Sequence, residues 1–230
     1  MSKCILLDAG GVICYPRVGD WLTPVRFEEI IGENRLNSVM PEQIWAAKQA
    51  AAAIYLDESL PITDETMEFT VRRNYFLDLA KRLSWTLTDR EADVLARDMT
   101  ENDARYDFYE EARGAIMQLR DMGPVGLLSN AMPSIKRIFD NAGLLELFDE
   151  AVISCEIGAQ KPDEKMYATI CERLEIAPED CIFVDDIEKN LEGAEKFGMT
   201  GVHMCREGES GWHGDIVRDL TELVRLVREK

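Results

Sequence analysis

The sequence predicts an α/β fold, in which a parallel sheet carries helices on both faces and a small all-helical unit is inserted near the start. Short apolar runs without alternation, such as Cys4 to Leu7, are typical of strands buried on both faces. After residue 109 such runs alternate with helical segments, as in parallel sheets with right-handed crossovers. Strand signals are absent from 16–108. We therefore predict a core domain from 1–15 and 109–230, and a helical domain from 16–108.

Composition indicates an ordinary globular protein and argues against several partners. The 230 residues are 46% hydrophobic and 30% charged, which does not fit a disordered chain. The formal charge of −18 argues against nucleic acid and anionic membranes, which are bound by Lys and Arg clusters. Six cysteines form no C-x-x-C pair, so we expect reduced core residues. Met1-Ser2-Lys3 leads straight into a strand, and no apolar run approaches the roughly 20 residues of a membrane span, so we expect a cytoplasmic location.

The first strand ends abruptly on Asp8, which is followed by Ala9, Gly10 and Gly11. A strand of a parallel sheet delivers such a residue to the carboxyl edge, where ligands bind in open α/β sheets. The glycines permit a sharp turn and a close approach to the main chain. Asp8 therefore either caps a turn or belongs to a ligand site.

Helix-start signals recur within the helical unit. Pro41 can open a helix, Thr63-Asp64 precedes a long one, and Thr88-x-x-Glu91 has the form of a capping box. From residue 109 onward, helix and strand signals alternate. The predicted elements are a helix at 110–122, a strand at 125–128, a helix at 133–142, a strand at 151–154, a helix at 163–174, a strand at 181–184, a helix to Phe197, a last strand at 201–204 and a closing helix at 216–227.

Polar side chains follow four of the predicted strands. Asp8, Ser129 and the pair Asp185-Asp186 come directly after apolar runs, and Lys161 lies in the loop after a fourth. All of these side chains fall on one edge of a parallel sheet. Acids, a hydroxyl and an ammonium in this arrangement favour Mg²⁺-assisted phosphoryl transfer, because hard oxygen ligands hold the metal and the metal neutralises phosphate charge.

These motifs resemble those of the haloacid dehalogenase-like (HAD) superfamily, in the branch with a helical cap after the first core strand. The similar segments are LLDAGGVI at 6–13, LLSNA at 127–131, GAQKPD at 158–163 and IFVDDIEKNLEGA at 182–194. The first of them is a DxGG variant of the family's nucleophile motif. The resemblance implies a Rossmann-like core, a Mg²⁺-dependent hydrolase and a small phosphorylated metabolite as substrate. It leaves the oligomeric state open.

The resemblance also implies roles for individual residues. Asp8 would be the nucleophile that forms an aspartyl-phosphate, and Lys161 would bridge this carboxylate and the phosphoryl group. Ser129 and Asn130 would bind phosphate oxygens. Mg²⁺ would be held by Asp8, the backbone carbonyl of Gly10 and Asp186, with Asp185 contributing directly or through water. The supporting residue Asn190 would brace the Asp185-Asp186 loop.

Gly10 departs from the family pattern, because most phosphatases of this group have a general acid-base aspartate there. Such a group contributes about 10²- to 10⁴-fold, so we expect slow turnover rather than none. A phosphatase, with sugar phosphates among its candidate substrates, is the main interpretation. A phosphomutase ranks lower because it needs the missing acid, and a dehalogenase would have tyrosine at this position. A metal- or phosphate-binding pseudoenzyme and a phospho-acceptor domain are further hypotheses, although the acid pair of receiver domains follows the first strand.

Several polar residues outside the motifs have simpler interpretations. His203 is interpreted as strand filler and His213 as a solvated side chain. Tyr15, Arg17 and Asp20 follow the nucleophile segment into the cap. They are candidates for substrate contact, although surface linker residues have the same appearance.

Overall fold

The computed structural model describes residues 3–57 and 60–230. Met1 and Ser2 of the predicted core domain, and residues 58–59 of the predicted helical domain, lie outside the described residues. The strands of the described chain are β1 (Cys4–Leu7), β2 (Cys14–Pro16), β3 (Tyr106–Phe108), β4 (Val125–Ser129), β5 (Glu150–Ile153), β6 (Cys181–Asp185), β7 (Thr200–Met204) and β8 (Asp215–Val217).

Eleven α-helices lie between and after these strands in the described part of the chain. They are α1 (Phe27–Ile31), α2 (Glu33–Leu36), α3 (Pro41–Tyr55), α4 (Glu65–Arg82), α5 (Asp89–Thr100), α6 (Ala112–Arg120), α7 (Ser134–Asn141), α8 (Ser154–Ile157), α9 (Glu164–Leu174), α10 (Glu188–Phe197) and α11 (Leu220–Glu229). Short 3₁₀ turns at Asp103–Arg105, Leu145–Leu147 and Pro178–Asp180 complete the chain. Among the described helices, none has both the length and the apolar character that a membrane crossing requires.

The main sheet contains six parallel strands of the described chain, in the order β5-β4-β1-β6-β7-β8. Strand β1 lies in the middle, and all four of its side chains are fully buried. Ile5 and Leu7 pack on the face covered by α6, α7 and α11, whereas Cys4 and Leu6 pack on the face covered by α9 and α10. An apolar residue at every position is therefore required, and the predicted α/β fold is confirmed.

The helices α1 to α5 have an apolar core of their own. Tyr75, Phe76 and Leu79 of α4 pack there with Leu95 and Met99 of α5. The chain enters and leaves this helical region through β2 and β3, which pair antiparallel with Tyr15 opposite Asp107. The predicted domain boundaries fall at this ribbon, and they stay a prediction.

The predicted helix starts are confirmed by their hydrogen bonds. Thr88 Oγ1 accepts from the Glu91 N–H at 3.2 Å, and Glu91 Oε2 accepts from the Thr88 N–H at 2.7 Å, which is the capping box at the start of α5. Asp64 caps α4 by accepting from the N–H groups of Thr66 and Met67. Pro41 is the first residue of α3, as predicted. The other predicted helices and strands from 110 to 204 are present with ends shifted by one or two residues.

Three predictions about short elements are wrong. Strand β7 is not the last strand, because β8 follows it and pairs with it in parallel. Residues 216 and 217 belong to β8 rather than to the closing helix, which begins at Leu220 because Asp219 caps it by accepting from the Glu222 N–H at 2.8 Å. The region 16–108, predicted to lack strands, begins on the last residue of β2, Pro16, and ends with β3. Three-residue strands are too short to show a periodic pattern.

Candidate active site

The predicted site residues converge where the middle strands of the sheet end. Asp8 follows β1, Ser129 ends β4 and Asp185 ends β6, and β1 lies between the other two strands. A cavity of about 270 Å³ opens at this edge. Its walls include the predicted residues Asp8, Gly10, Ser129, Asn130, Lys161, Asp186 and Asn190. Asp185 is fully buried behind this wall.

Lys161 joins the nucleophile candidate to the acid pair. Its ammonium donates to Asp8 Oδ1 at 2.8 Å, to Asp185 Oδ2 at 2.7 Å and to the Leu128 carbonyl at 3.0 Å. All three of its N–H groups are thereby used. Burial alone would lower the pKa of Lys161, but the charges of Asp185 and Asp8 outweigh burial and raise that pKa. The side chain is therefore a fixed cation at the base of the cavity.

Asp8 is nearly buried, with 7% of its surface exposed. Burial raises the pKa of its carboxyl to about 6; Lys161 opposes this rise and Asp185 adds to it. The backbone N–H of Asp8 donates to the Val184 carbonyl at 3.0 Å, which fixes the end of β1 against β6. Near neutral pH the carboxylate is therefore ionised but poorly solvated, which favours a nucleophile or a metal ligand.

Asp185 is held by hydrogen bonds on both of its oxygens. Oδ1 accepts from the Ile187 N–H at 2.8 Å, and Oδ2 accepts from Lys161. Asn190 Nδ2 lies 3.0 Å from both oxygens. This geometry agrees with the bracing role predicted for Asn190, whose own carbonyl accepts from the Tyr167 hydroxyl at 2.7 Å. Asp185 therefore orients Lys161 as well as lying beside the candidate metal ligands.

Oxygen atoms of Asp8, Asp185 and Asp186 lie within 4.8 Å of one another. Burial, followed by the charges of Asp8 and Asp185, raises the pKa of Asp186 to about 7. With Lys161 ionised, three carboxylates leave a formal excess of negative charge at this point. Hard oxygen donors with unbalanced negative charge fit a divalent cation such as Mg²⁺.

Gly11 lies close against this cluster. Its φ is +70°, and a Cβ built on it would lie 2.1 Å from Asp186 Oδ2. Both the backbone conformation and the space available therefore require glycine at this position. Asp186 can occupy its place beside Asp8 only because residue 11 has no side chain.

The side chain of Asn130 binds the backbone of Lys161. Asn130 Oδ1 accepts from the Lys161 N–H at 2.7 Å, and Nδ2 donates to the Lys161 carbonyl at 3.2 Å. The next backbone N–H, that of Ala131, donates to Ser154 Oγ at 3.0 Å. Asn130 thus positions the lysine loop through its side chain, and its phosphate-binding role remains a prediction that concerns its backbone N–H.

An indole ring lies over Gly10. A Cβ on residue 10 would be 3.2 Å from Trp21 Cζ2, and the φ of Gly10 is outside the left-handed region. Trp21 comes from the chain just after β2 and contacts Tyr106 at a ring-centroid distance of 5.5 Å. An apolar ring therefore lies close to where the side chain of an aspartate at position 10 would begin.

Two residues that contact the site were missed or misinterpreted from the sequence. Arg206 donates to the carbonyls of Gly11 at 3.0 Å and Val12 at 2.6 Å, and its guanidinium stacks 3.2 Å from the ring centre of Tyr109. His203 is not mere strand filler, because its Nε2 lies 3.0 Å from the Asp186 carbonyl, which can only accept. Arg206 braces the nucleophile turn, and His203 braces the acid loop.

Of the residues proposed for substrate contact after the nucleophile, Arg17 and Asp20 have other partners. Arg17 pairs with Asp107 at 2.6 Å, and Asp20 accepts from Lys48 and Thr23. The part of the helical region that does line the cavity is made of Trp21, Leu22, Leu56, Arg72, Arg105 and Tyr106. No periodic or motif signal in the sequence distinguishes these six residues.

Comparison with known proteins identifies the family. The model of the haloacid dehalogenase-like hydrolase family matches residues 2–198. The chain belongs to this family. Its match extends through the strand ends that carry the candidate site, from Asp8 to Asp186.

Similarity to individual family members is partial in sequence and complete in fold. A phosphatase of Mycobacterium tuberculosis is 36% identical over 118 residues, 50% of this chain and 54% of that protein. A glyceraldehyde 3-phosphate phosphatase of Methanopyrus kandleri is 33% identical over 102 residues, 43% of each chain. The chain thus spans about half the length of the curated relatives it matches. A magnesium-bound HAD hydrolase of Bacillus subtilis has a TM-score of 0.73 at 16% identity over 99% of both chains, which shows the shared fold.

Proposed function

We propose that the chain is a Mg²⁺-dependent phosphatase that hydrolyses a small phosphorylated metabolite through an aspartyl-phosphate on Asp8. One observation carries this proposal: the Asp8 carboxylate lies at the base of a small cavity, 2.8 Å from a buried lysine and close to Asp186. The names of the two similar phosphatases support phosphate-ester hydrolysis as the reaction class. Sugar phosphates are included in the proposed substrate class.

The residues of the chain have separate tasks in this mechanism. Asp8 attacks phosphorus, and the bond to the ester oxygen breaks as the aspartyl-phosphate forms. Lys161 reduces the repulsion between the attacking carboxylate and the phosphoryl oxygens. The Ser129 hydroxyl and the Asn130 N–H bind a phosphoryl oxygen. The leaving oxygen takes its proton from solvent, since residue 10 is glycine. Water then attacks the phosphorus of the aspartyl-phosphate and loses its proton to solvent, which releases inorganic phosphate and regenerates Asp8.

The acid cluster would hold the cation during both steps. Asp8, Asp186 and the Gly10 carbonyl are the proposed direct ligands, and Asp185 contributes directly or through water. When bound, Mg²⁺ supplies positive charge that offsets the negative charge of the phosphoryl group. Gly11 and Arg206 keep the ligand loop in position, since one leaves space for Asp186 and the other binds the loop carbonyls.

A phosphomutase and a pseudoenzyme would use the same site. A phosphomutase must protonate and deprotonate sugar hydroxyls, and the place of the usual acid is occupied by Gly10 under an indole ring. A pseudoenzyme that only binds metal or phosphate would keep the acid cluster without turnover. The pairing of Asp8 with a buried lysine favours a catalytic nucleophile over a pseudoenzyme, and glycine at position 10 favours a phosphatase over a phosphomutase.

An assay with an aryl phosphate tests the proposal, because a good leaving group does not need a protein acid. We expect hydrolysis by the wild-type protein that requires Mg²⁺ and stops with a chelator. Asp8→Asn should lower the rate by more than about 10³-fold, as for other nucleophile removals. Asp121→Asn, which removes an exposed acid outside the cavity, is the matched control.

Trapping of the intermediate completes this test. Mass spectrometry of acid-quenched enzyme should find the phosphoryl group on Asp8. A folded, Mg²⁺-binding protein that hydrolyses no phosphate ester would support the pseudoenzyme instead. Full activity of Asp8→Asn would overturn the covalent mechanism.

A further inference from the structure

Two buried arginines from the helical region line the same cavity as Asp8 and Ser129. Arg72 belongs to α4 and Arg105 lies immediately before β3, and they are only 4% and 5% exposed. The proposed phosphatase mechanism uses neither of them. The chain carries 44 acidic and 26 basic residues, so two buried arginines in the cavity that already holds Lys161 call for a specific explanation.

Arg72 has a carboxylate partner. Its Nε and Nη2 lie 2.7 Å and 2.6 Å from Glu68 Oε1. Glu68 is itself fully buried and also accepts from the Ser134 N–H at 2.8 Å and the Ser134 hydroxyl at 2.7 Å. One negative charge therefore balances Arg72 and leaves none for a second arginine.

Arg105 has only neutral partners within the part of the chain that the structure describes. Its Nη1 donates to the Met99 carbonyl at 2.8 Å and its Nη2 to the Trp21 carbonyl at 3.1 Å. The guanidinium lies 4.9 Å from the ring centre of Tyr106. None of the ion pairs among residues 3–57 and 60–230 includes Arg105. Burial of an unpaired charge is unfavourable, and burial correspondingly lowers the pKa of Arg105.

Donors remain available on this pair of side chains. A guanidinium has five N–H groups, and the two carbonyl bonds of Arg105 use two of them. Among the side chains on this side of the cavity, Arg72 and Arg105 together with Glu68 carry a net charge of +1. The buried carboxylate of Asp98 also acts on Arg105, but it accepts from the Arg26 N–H and from Asn102 and does not line the cavity. An anion that entered the cavity would balance this charge and accept from the unused N–H groups.

The apolar part of the cavity wall indicates what lies between the charged groups of such a ligand. Apolar side chains from both the helical region and the core line the cavity together with the arginines: Trp21, Leu22, Leu56, Tyr106, Met132 and Ile135. A cavity of about 270 Å³ admits only a small molecule. The wall therefore suits a short carbon chain or ring between two charged ends.

We propose that the substrate carries a second anionic group, a carboxylate or a second phosphate, which Arg72 and Arg105 bind while the reacting phosphoryl group lies at Asp8. The identity of the reacting end rests on the proposed phosphatase function. The binding of the second anion does not depend on turnover. Charged hydrogen bonds of this kind correspond to about 10- to 100-fold in affinity.

Three probes with the same three-carbon chain test this inference: propyl phosphate, 3-(phosphonooxy)propanoate and propane-1,3-diol bisphosphate. Calorimetry on Asp8→Asn with Mg²⁺ measures their binding without hydrolysis. We expect at least one anionic probe to bind about 10- to 100-fold more tightly than propyl phosphate. Tighter binding of only the carboxylate probe or only the bisphosphate assigns the subsite to that anion. Equal dissociation constants for all three probes overturn the inference.

Variants of Arg105 in the Asp8→Asn background locate the effect. Arg105→Met should reduce the affinity ratio between the anionic probe and propyl phosphate by about tenfold or more. Arg105→Lys keeps the charge without the planar fork and should restore part of the ratio. Arg17→Met, which removes an arginine outside the cavity, is the matched control and should leave the ratio as it is. A folded Arg105→Met protein with the full ratio contradicts the assignment.

Hydrolysis of the same probes by the wild-type protein separates the two proposals. Selective binding without hydrolysis would support the anion subsite and contradict the proposed phosphatase. Hydrolysis of all three probes with equal kcat/KM, together with equal binding, would support the phosphatase and overturn the subsite. The comparison in the Asp8→Asn background remains decisive if Arg105→Met does not fold.

Discussion

At the scale of single residues, Gly11 determines whether Asp186 can lie beside Asp8. Gly208 has a similar φ of +73° against +70°, but nothing lies within 4 Å of a Cβ built there. An alanine would therefore introduce similar backbone strain at either position, but only at position 11 would its methyl group clash with Asp186 Oδ2. This pair allows the effect of the clash to be measured separately.

We expect Gly11→Ala to weaken Mg²⁺ binding as well as stability. A side chain at positive φ costs about 1 kcal/mol or more, and the methyl group must also displace the Asp186 carboxylate. Gly208→Ala should lose stability from strain alone and keep its Mg²⁺ affinity. Thermal melts with and without Mg²⁺ measure both quantities. The same Mg²⁺-induced shift in both variants would contradict the steric role of Gly11.

The residues of the acid cluster could be predicted because each follows an apolar strand. Asp8 and Asp185 lie at the ends of neighbouring parallel strands, so the sheet alone brings them together. Arg206 and Arg105 have no such local signal. Arg206 contacts Gly11 across 195 positions of sequence, and Arg105 depends on how the helical region packs over the core. Only the tertiary structure could place these side chains.

At the scale of elements, Glu68 joins the helical region to the core. It lies on α4, yet its carboxylate accepts from the N–H and the hydroxyl of Ser134, the first residue of α7. A negative charge at the start of a helix is favourable because of the helix dipole. The same carboxylate balances the buried Arg72.

We expect Glu68→Gln to lower the free energy of unfolding by about 3–5 kcal/mol, because an uncompensated Arg72 remains in the interior. Glu65→Gln on the same helix is the control. Glu65 pairs with Arg137, but their side chains are 37% and 31% exposed, so its loss should be below about 1 kcal/mol. Chemical denaturation of both variants measures the difference. Similar losses for the two would show that the buried charge balance matters little.

Element length decides what the sequence could predict. Helices α4 and α5 begin with capping residues and run for 18 and 12 residues, so both were predicted. Strands β2, β3 and β8 have three residues each, and none was predicted. Their positions depend on partners: β2 and β3 on each other, and β8 on β7.

At the scale of the whole molecule, the helical region and the core are joined by more than the β2-β3 ribbon. Arg137 of α7 contacts Glu65 of α4, Asp103 and the Thr100 carbonyl. Glu68 adds the buried contact with Ser134. Because two chain segments join the helical region to the core, we expect it to move as a hinged body, and any opening must break these contacts along α7.

The charge of the molecule gives the metal-free protein a specific dependence on pH. The formal charge is −18, and the acid cluster concentrates three carboxylates at one point. The pKa of Asp8 rises from 3.8 to about 6 in the folded protein, chiefly because of burial. The folded state therefore prefers protonated Asp8. The resulting stability is fully present below about pH 4 and is lost as the pH rises through about 6.

We expect the free energy of unfolding of Asp8→Asn, relative to the wild type, to increase between pH 4 and pH 8 without metal. The amide of the variant cannot ionise, so the variant does not lose stability in this way as the pH rises. For the pKa shift of Asp8, the loss of stability in the wild type is on the order of 3 kcal/mol. Denaturation in the presence of a chelator across this pH range measures the difference. Asp121→Asn controls for the loss of one negative charge. Saturating Mg²⁺ should reduce the wild-type loss, because the metal binds the ionised form. A difference between variant and wild type that stays constant with pH would mean that Asp8 is already stabilised as an anion, with Lys161 sufficient to balance it.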